Sequence, residues 1–267
     1  LIFGKGGFPV MGIAGAAIAS SVSEAVSLLF FIIYTGTTAD KRKYGFRRAF
    51  TFRPHLLKGM LSISGWTMVQ SFISVSIWFI FFLAIEHLGE RPLAVTNIVR
   101  NISALLIMVI SAFATTAGAL ISNQIGAGEQ RYLFRTCGMT LNLTYAILVP
   151  LLVILCLFPE PVLRVFTDNP SLIAASINSV YVMSTSTLIM APAFILFNAV
   201  SGTGNTKAGF IMEMISLTVY TAAVYYIVIR LKPDVALCWF SEHVYGIALI
   251  ALAWWYLKSG KWRGKKV

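Results

Sequence analysis

Charge is scarce in this chain. Of its 267 residues, 12% are charged and 58% are apolar; soluble domains carry about twice that charge. One or two soluble domains would fit the length, but too little polar surface exists to solvate them. Acids are rarest, with 10 Asp and Glu against 21 Lys and Arg. The three histidines, His55, His87 and His243, lie far apart, and the three cysteines, Cys137, Cys156 and Cys238, sit alone in apolar sequence without a CxxC pair. That excludes a disulfide framework and a metal centre. Neither a Ser/His/Asp set nor a paired-carboxylate arrangement is present, so the chain does not read as an enzyme. Gly202-Thr203-Gly204-Asn205-Thr206-Lys207 lacks the glycine spacing of a phosphate loop and reads as a tight turn.

What is abundant is long apolar runs. Mean hydropathy is +0.80, and a membrane-spanning helix needs about 20 apolar residues. Seven spans are expected at 11–34, 59–85, 93–121, 137–158, 172–200, 209–229 and 236–257. The expected fold class is therefore an all-α polytopic membrane protein with seven transmembrane helices. Pro150 and Pro192 fall inside the fourth and fifth spans; each removes a helical hydrogen bond and kinks the helix, as a flexing point or as a static bend. Asn101-Ile102-Ser103 and Asn142-Leu143-Thr144 match glycosylation sequons but lie within spans. No signal-peptide pattern opens the chain. Its Leu1 start suggests a fragment or a processed start.

Basic residues set the direction. Lys41, Arg42, Lys43, Arg47, Arg48, Arg53, Lys58, Arg131, Arg135, Lys207, Lys258, Lys261, Arg263, Lys265 and Lys266 share one side. Lys5, Arg91, Arg164, Arg230 and Lys232 share the other, and Arg100 is inside a span. By the positive-inside rule the tail is cytoplasmic and residue 1 starts outside. Residues 36–58 form a basic linker carrying Phe46, Phe50 and Phe52. Nucleic acid could bind such a stretch, but anionic lipid at the bilayer surface explains it better.

Polar groups at membrane depth mark candidate sites. Ser20, Glu24 and Ser27 share a face of span one, and Glu24 is either an ion or proton site or a neutral carboxyl bonded to a neighbouring helix. Gly12, Gly15, Ala16 and Ala19 form a small-residue packing face. Thr67, Gln70, Ser71, Ser74 and Trp78 line one stripe of span two; Asn97, Arg100, Asn101, Met108, Ser111 and Thr115 line another on span three. Arg100 snorkels outward or lines a cavity with Asn97 and Asn101, Glu86 and Glu90 being its candidate partners. Span five carries Asn178, Tyr181, Thr185 and Pro192 and a run of hydroxyls at Ser184-Thr185-Ser186-Thr187. Glu213, near the start of span six, is expected at the interface. Spans two, three and five thus offer polar but nearly acid-free faces, suited to a moderately polar or cationic amphiphile. Gln70, Ser74, Asn97, Arg100 and Asn101 are the expected cavity residues.

The ordered stretches Phe8-Pro9-Val10-Met11-Gly12-Ile13-Ala14-Gly15, Ala94-Val95-Thr96-Asn97-Ile98-Val99-Arg100-Asn101-Ile102, Ile121-Ser122-Asn123-Gln124-Ile125-Gly126-Ala127-Gly128-Glu129 and Phe197-Asn198-Ala199-Val200-Ser201-Gly202-Thr203-Gly204-Asn205-Thr206-Lys207 resemble the multidrug and toxic compound extrusion (MATE) family, across nearly the whole chain. The resemblance implies two six-helix bundles, of which 1–35 would be the last helix of the first, 36–58 a cytoplasmic linker, 59–258 the whole second bundle and 259–267 a basic cytoplasmic tail. It implies a secondary active antiporter exporting small-molecule organic cations, cationic amphiphiles, in exchange for sodium ions or protons, with no cofactor beyond that coupling ion. The expected partners are the lipid bilayer and a missing N-terminal bundle or a partner chain supplying it, with no nucleic acid; the expected location is the plasma membrane, as in a bacterial inner membrane. A lipid-linked oligosaccharide flippase of the same superfamily and a non-transporting membrane interaction or scaffold protein are the alternatives. One departure stands out. Many members carry acids in the seventh and tenth helices, near Ser74 or Val75 and near Met190 here, and none of these is acidic. The second-bundle cation site therefore looks absent, leaving Glu24 or acids outside the chain.

Overall fold

The computed structural model describes residues 9–38, 54–260 and 262. Most of the basic linker, Lys5 and most of the tail lie outside the described residues. Those described form helices α1 (Gly12–Thr38), α2 (Pro54–Glu86), α3 (Glu90–Gly126), α4 (Leu133–Leu157), the short α5 (Pro159–Leu163), α6 (Pro170–Gly202), α7 (Thr206–Val224), the four-residue α8 (Val235–Cys238) and α9 (Phe240–Ser259). A 3₁₀ turn, Gln130–Tyr132, precedes α4, and a π-helical stretch, Tyr225–Leu231, prolongs α7. Seven segments are long and apolar enough to cross a membrane, each overlapping one expected span. The chain is a multi-pass, all-helical membrane protein. Helix α2 starts at Pro54, five residues before the expected span, because proline suits the first helical turn, where no N–H partner is needed.

The chain divides into two units, 1–58 and 59–267. In the first, α1 is largely exposed and only Gly15 is buried. The second is built around α6, against which α3, α4, α7 and α9 pack. Small residues permit this. A methyl on Gly118 of α3 would come within 2.9 Å of the Asn198 carbonyl oxygen, and one on Gly202 of α6 would collide with the Gly118 carbonyl. Ala114, Ala117 and Ile121 of α3 and Ile195, Ala199 and Val200 of α6 are accordingly almost wholly buried together. Close approach of small residues is the main source of helix association where lipid removes the hydrophobic drive.

The hydrogen bond that Pro192 removes from α6 is compensated from outside the helix. Pro192 has no N–H for the carbonyl of Leu188, one turn back. The Tyr145 hydroxyl of α4 donates to that Leu188 oxygen at 2.8 Å. The four hydroxyls of 184–187 all bond back to α6 itself: Ser184 to Val180, Thr185 to Val182, and Ser186 and Thr187 to Met183. Ser184, Ser186 and Thr187 thus serve the helix, while the Thr185 hydroxyl also meets His243 Nε2 of α9 at 3.0 Å.

Turn chemistry ends the helices, and α3 runs five residues past the expected end of its span, to Gly126. Gly128 adopts φ 77° after α3. Between α6 and α7, Gly204 adopts φ 76°, and the Asn205 side chain accepts from the Ala208 amide while its Nδ2 donates to the Tyr256 hydroxyl at 2.6 Å. That is a capped turn, as the failed phosphate-loop pattern suggests. Asp234 likewise caps α8 through the Val235 amide at 2.8 Å.

Candidate functional site

Within the second unit, α2, α3, α6, α7 and α9 line an open cavity of about 750 Å³. Helix α2 forms one wall without packing tightly. It meets α7 through side chains: Trp66 against Phe210, Ser74 against Glu213, and Phe81 against Tyr220. Its buried residues, Phe81, Ala84 and Ile85, lie near its C-terminal end. The rest of its inner face is free to line a hollow.

Two carboxyls occupy that hollow. Glu213 of α7 is 4% exposed. Its Oε1 accepts from the Ser74 hydroxyl at 2.8 Å and from the Tyr245 hydroxyl at 2.9 Å. Its Oε2 is buried with no partner among the described residues. Glu242 of α9 is 8% exposed, and its Oε1 accepts from the Tyr220 hydroxyl of α7 at 3.2 Å. The Tyr220 and Tyr245 rings meet edge to face, 5.9 Å apart. The pattern is reciprocal: α7 supplies Glu213 and Tyr220, α9 supplies Glu242 and Tyr245, and each phenol holds the other helix's acid. A helix puts residues spaced by three or seven on one face, so both pairs point inward from their own helices.

Arg100 of α3 marks another part of the wall. Its guanidinium lies 4.7 Å from the Phe82 ring centroid and 5.2 Å from that of Trp78, a cation–π arrangement. It pairs with neither Glu86 nor Glu90. The wall between is mostly apolar, with Val75, Phe79, Ile107, Met108, Phe194 and Leu217.

The expected cavity residues separate here. Ser74 and Arg100 line the cavity. Gln70 lies one turn before Ser74, and Asn97 one turn before Arg100, both beyond the lining set. Asn101 turns about 100° from Arg100 along α3 and is exposed outside it. Glu24 belongs to the first unit, where it is exposed on α1. Glu213 is a correction: it is buried in the cavity rather than interfacial, because α2 and α9 each supply a hydroxyl for it. The cavity's acids come from the sixth and seventh spans, outside the nearly acid-free faces of spans two, three and five. Ser74 of α2 is a donor to Glu213, the acid from α7. Glu242, Tyr220 and Tyr245 were missed. Glu242 falls inside the expected seventh span, and an ionisable residue within a span is itself a site signal.

The MatE family model matches residues 67–227, which includes most of this cavity. The chain belongs to the MatE family. MatE proteins are transporters, not enzymes. The chain is 25% identical, over an alignment of 279 residues, to the probable multidrug resistance protein NorM of Thermotoga maritima, covering 100% of this chain and 57% of that protein. It is 25% identical to the uncharacterized transporter YisQ of Bacillus subtilis over 81% of this chain and 48% of that one. A crystal structure of the Vibrio cholerae MATE transporter VcmN superposes with a TM-score of 0.71 and 16% identity, over 79% of this chain and 48% of that one; at that identity the likeness concerns the fold. The chain spans about half the length of the relatives that it matches.

Proposed function

We propose that this chain supplies the second six-helix bundle, with the last helix of the first, of a secondary active multidrug exporter. Residues 1–35 would end the first bundle, 36–58 link the two on the cytoplasmic face, and 59–258 form the second, with a cytoplasmic tail in a plasma membrane. The cargo is a cationic amphiphile, and the coupling ion is sodium or a proton. Arg100 and Ser74 belong to the substrate cavity; Gln70, Asn97 and Asn101 sit beside it, and Glu24 is a separate candidate for ion binding in the first unit. The remaining bundle, on the same chain or a partner, completes alternating access.

The observation that carries this reading is the buried Glu213 carboxyl, whose Oε1 accepts two hydrogen bonds while its Oε2 has no partner among the described residues, inside an aromatic-lined cavity. An ionised carboxylate without a counter-charge at membrane depth is expensive. Taking up a small cation, or the positive centre of a cargo, relieves that cost. Two cations that relieve the same carboxylate cannot both occupy it, which is the logic of exchange. Glu242, held by a phenol on the opposite helix, gives a second resting place beside the first.

The test is efflux from proteoliposomes of the full-length protein, using ethidium and imposed sodium or pH gradients. Gradient-driven efflux that is lost in Glu213→Gln is the expected result. Efflux that ignores both gradients, or a Glu213→Gln protein that exports at the unmutated rate, overturns it.

A further inference from the structure

We propose that the seam between α2 and α7, where α7 enters the membrane from the side of the basic loops, binds one anionic phospholipid, with its phosphate on Lys207 and an acyl chain along the outer face of α7. The site lies outside the cavity and is independent of the transport reading above.

Lys207 is exposed in the first turn of α7, and among the described residues its ammonium has no carboxylate partner. Its Nζ lies 5.9 Å from the centroid of the Trp66 ring of α2. That ring in turn meets Phe210 of α7, with centroids 5.1 Å apart. A ring face steadies a cation without neutralising it, so the N–H donors of the ammonium stay available to an oxyanion. Trp66 is itself exposed. Tryptophan favours the membrane–water boundary, where its ring is apolar and its N–H is wet. A zwitterionic headgroup carries its own ammonium beside the phosphate. An anionic headgroup does not, and an unpaired lysine at the surface favours it.

The apolar part of the site runs on from that head. Lys207, Ile211, Met214 and Thr218 follow one another at helical spacing along one face of α7. Glu213, Leu217 and Tyr220 leave the helix on another face, toward the cavity. Ile211 and Thr218 are exposed, and the Thr218 hydroxyl turns back onto the Met214 carbonyl at 2.8 Å. Below the lysine this stripe therefore presents apolar surface. From Lys207 to Thr218 the helix rises about 16 Å, close to half the thickness of a bilayer's hydrocarbon core, which is the depth that one acyl chain reaches. Helix α2 meets α7 here through side chains, without close backbone approach. A chain laid beside so loose a seam covers it.

The test reads Trp66 fluorescence in the full-length protein, reconstituted in phosphatidylcholine, as lipid brominated on its acyl chains replaces the host lipid; bromine quenches an indole that it touches. The difference between each protein and its Trp66→Phe counterpart isolates the Trp66 signal. Brominated phosphatidylglycerol is expected to quench Trp66 at about fivefold lower mole fraction than brominated phosphatidylcholine, the scale of one lysine against one lipid charge. Lys207→Gln is expected to erase that preference and Lys207→Arg to keep it, while an unchanged unfolding midpoint of Lys207→Gln in phosphatidylcholine shows that the fold survives. Lys258→Gln is the control. It lies at the same membrane end on α9, turned about 200° from Tyr256, which bonds to the Asn205 cap of α7, and is expected to change nothing. Equal quenching by the two lipids, or a preference that survives Lys207→Gln, overturns the inference. A preference lost equally in Lys258→Gln overturns it in favour of a diffuse basic surface. Displacement of the brominated lipid by glycerol 3-phosphate overturns it in favour of a bare phosphate site. The transport reading stands or falls separately, on efflux.

Discussion

The two charged ends of the cavity are held in different ways. At the acid end, Glu213 and Glu242 are buried and fixed by hydroxyls from three helices. At the basic end, Arg100 is exposed and rests on two rings of α2. A buried carboxyl needs directed donors, because losing water costs it most. An exposed guanidinium keeps its water and needs only a surface to lie on. The acid end is therefore tied into the helix packing, whereas the basic end is an addition to one helix face. Changes at the acid end should disturb both function and assembly; changes at Arg100 should alter selection.

Removing the central acid is the largest break in that comparison. Glu213→Ala is expected to cut gradient-driven efflux by about two orders of magnitude, the upper range for a charged hydrogen-bonding group, as measured by initial rates in proteoliposomes. Next comes the scaffold under both ends. Gly202→Ala drives a methyl into the Gly118 carbonyl and is expected to cost about 1–3 kcal/mol, seen as a lower unfolding midpoint in detergent. The two phenols then sharpen the picture of the acid end. Tyr245→Phe removes a 2.9 Å bond and Tyr220→Phe a 3.2 Å one. The first is expected to reduce efflux about fivefold, on the order of 1 kcal/mol, and the second less. The smallest effect lies away from both ends. Tyr145→Phe frees the Leu188 carbonyl beside Pro192 and is expected to lower stability by about 0.5–1.5 kcal/mol while leaving gradient-driven efflux near the unmutated rate, as read by thermal unfolding and proteoliposome efflux.

Much of the fold was legible in the amino-acid order because each span must satisfy its backbone within itself. That makes long apolar runs readable one at a time, and all seven lie where hydropathy places them. The turn at Gly204 was legible in its local residues, Gly202-Thr203-Gly204-Asn205. The site was legible only in part. Ser74 and Arg100 follow from polar stripes on single helices. Glu213 was assigned to the interface because its distance from the start of its span was the only local information. The pairing of Glu213 with Tyr245 and of Glu242 with Tyr220 joins residues 32 and 22 apart on different helices, which no periodicity reports.

By itself, then, the sequence determined that the chain is helical, crosses a membrane seven times and carries few ionisable groups at depth, since hydropathy, span length and backbone hydrogen bonding are properties of each segment alone. The tertiary structure decided what those few groups do. Whether a carboxyl inside a span is exposed, like Glu24, or buried and held by hydroxyls, like Glu213, depends on which side chains neighbouring helices bring to it. That depends in turn on how closely glycine lets those helices approach, as at Gly118 and Gly202.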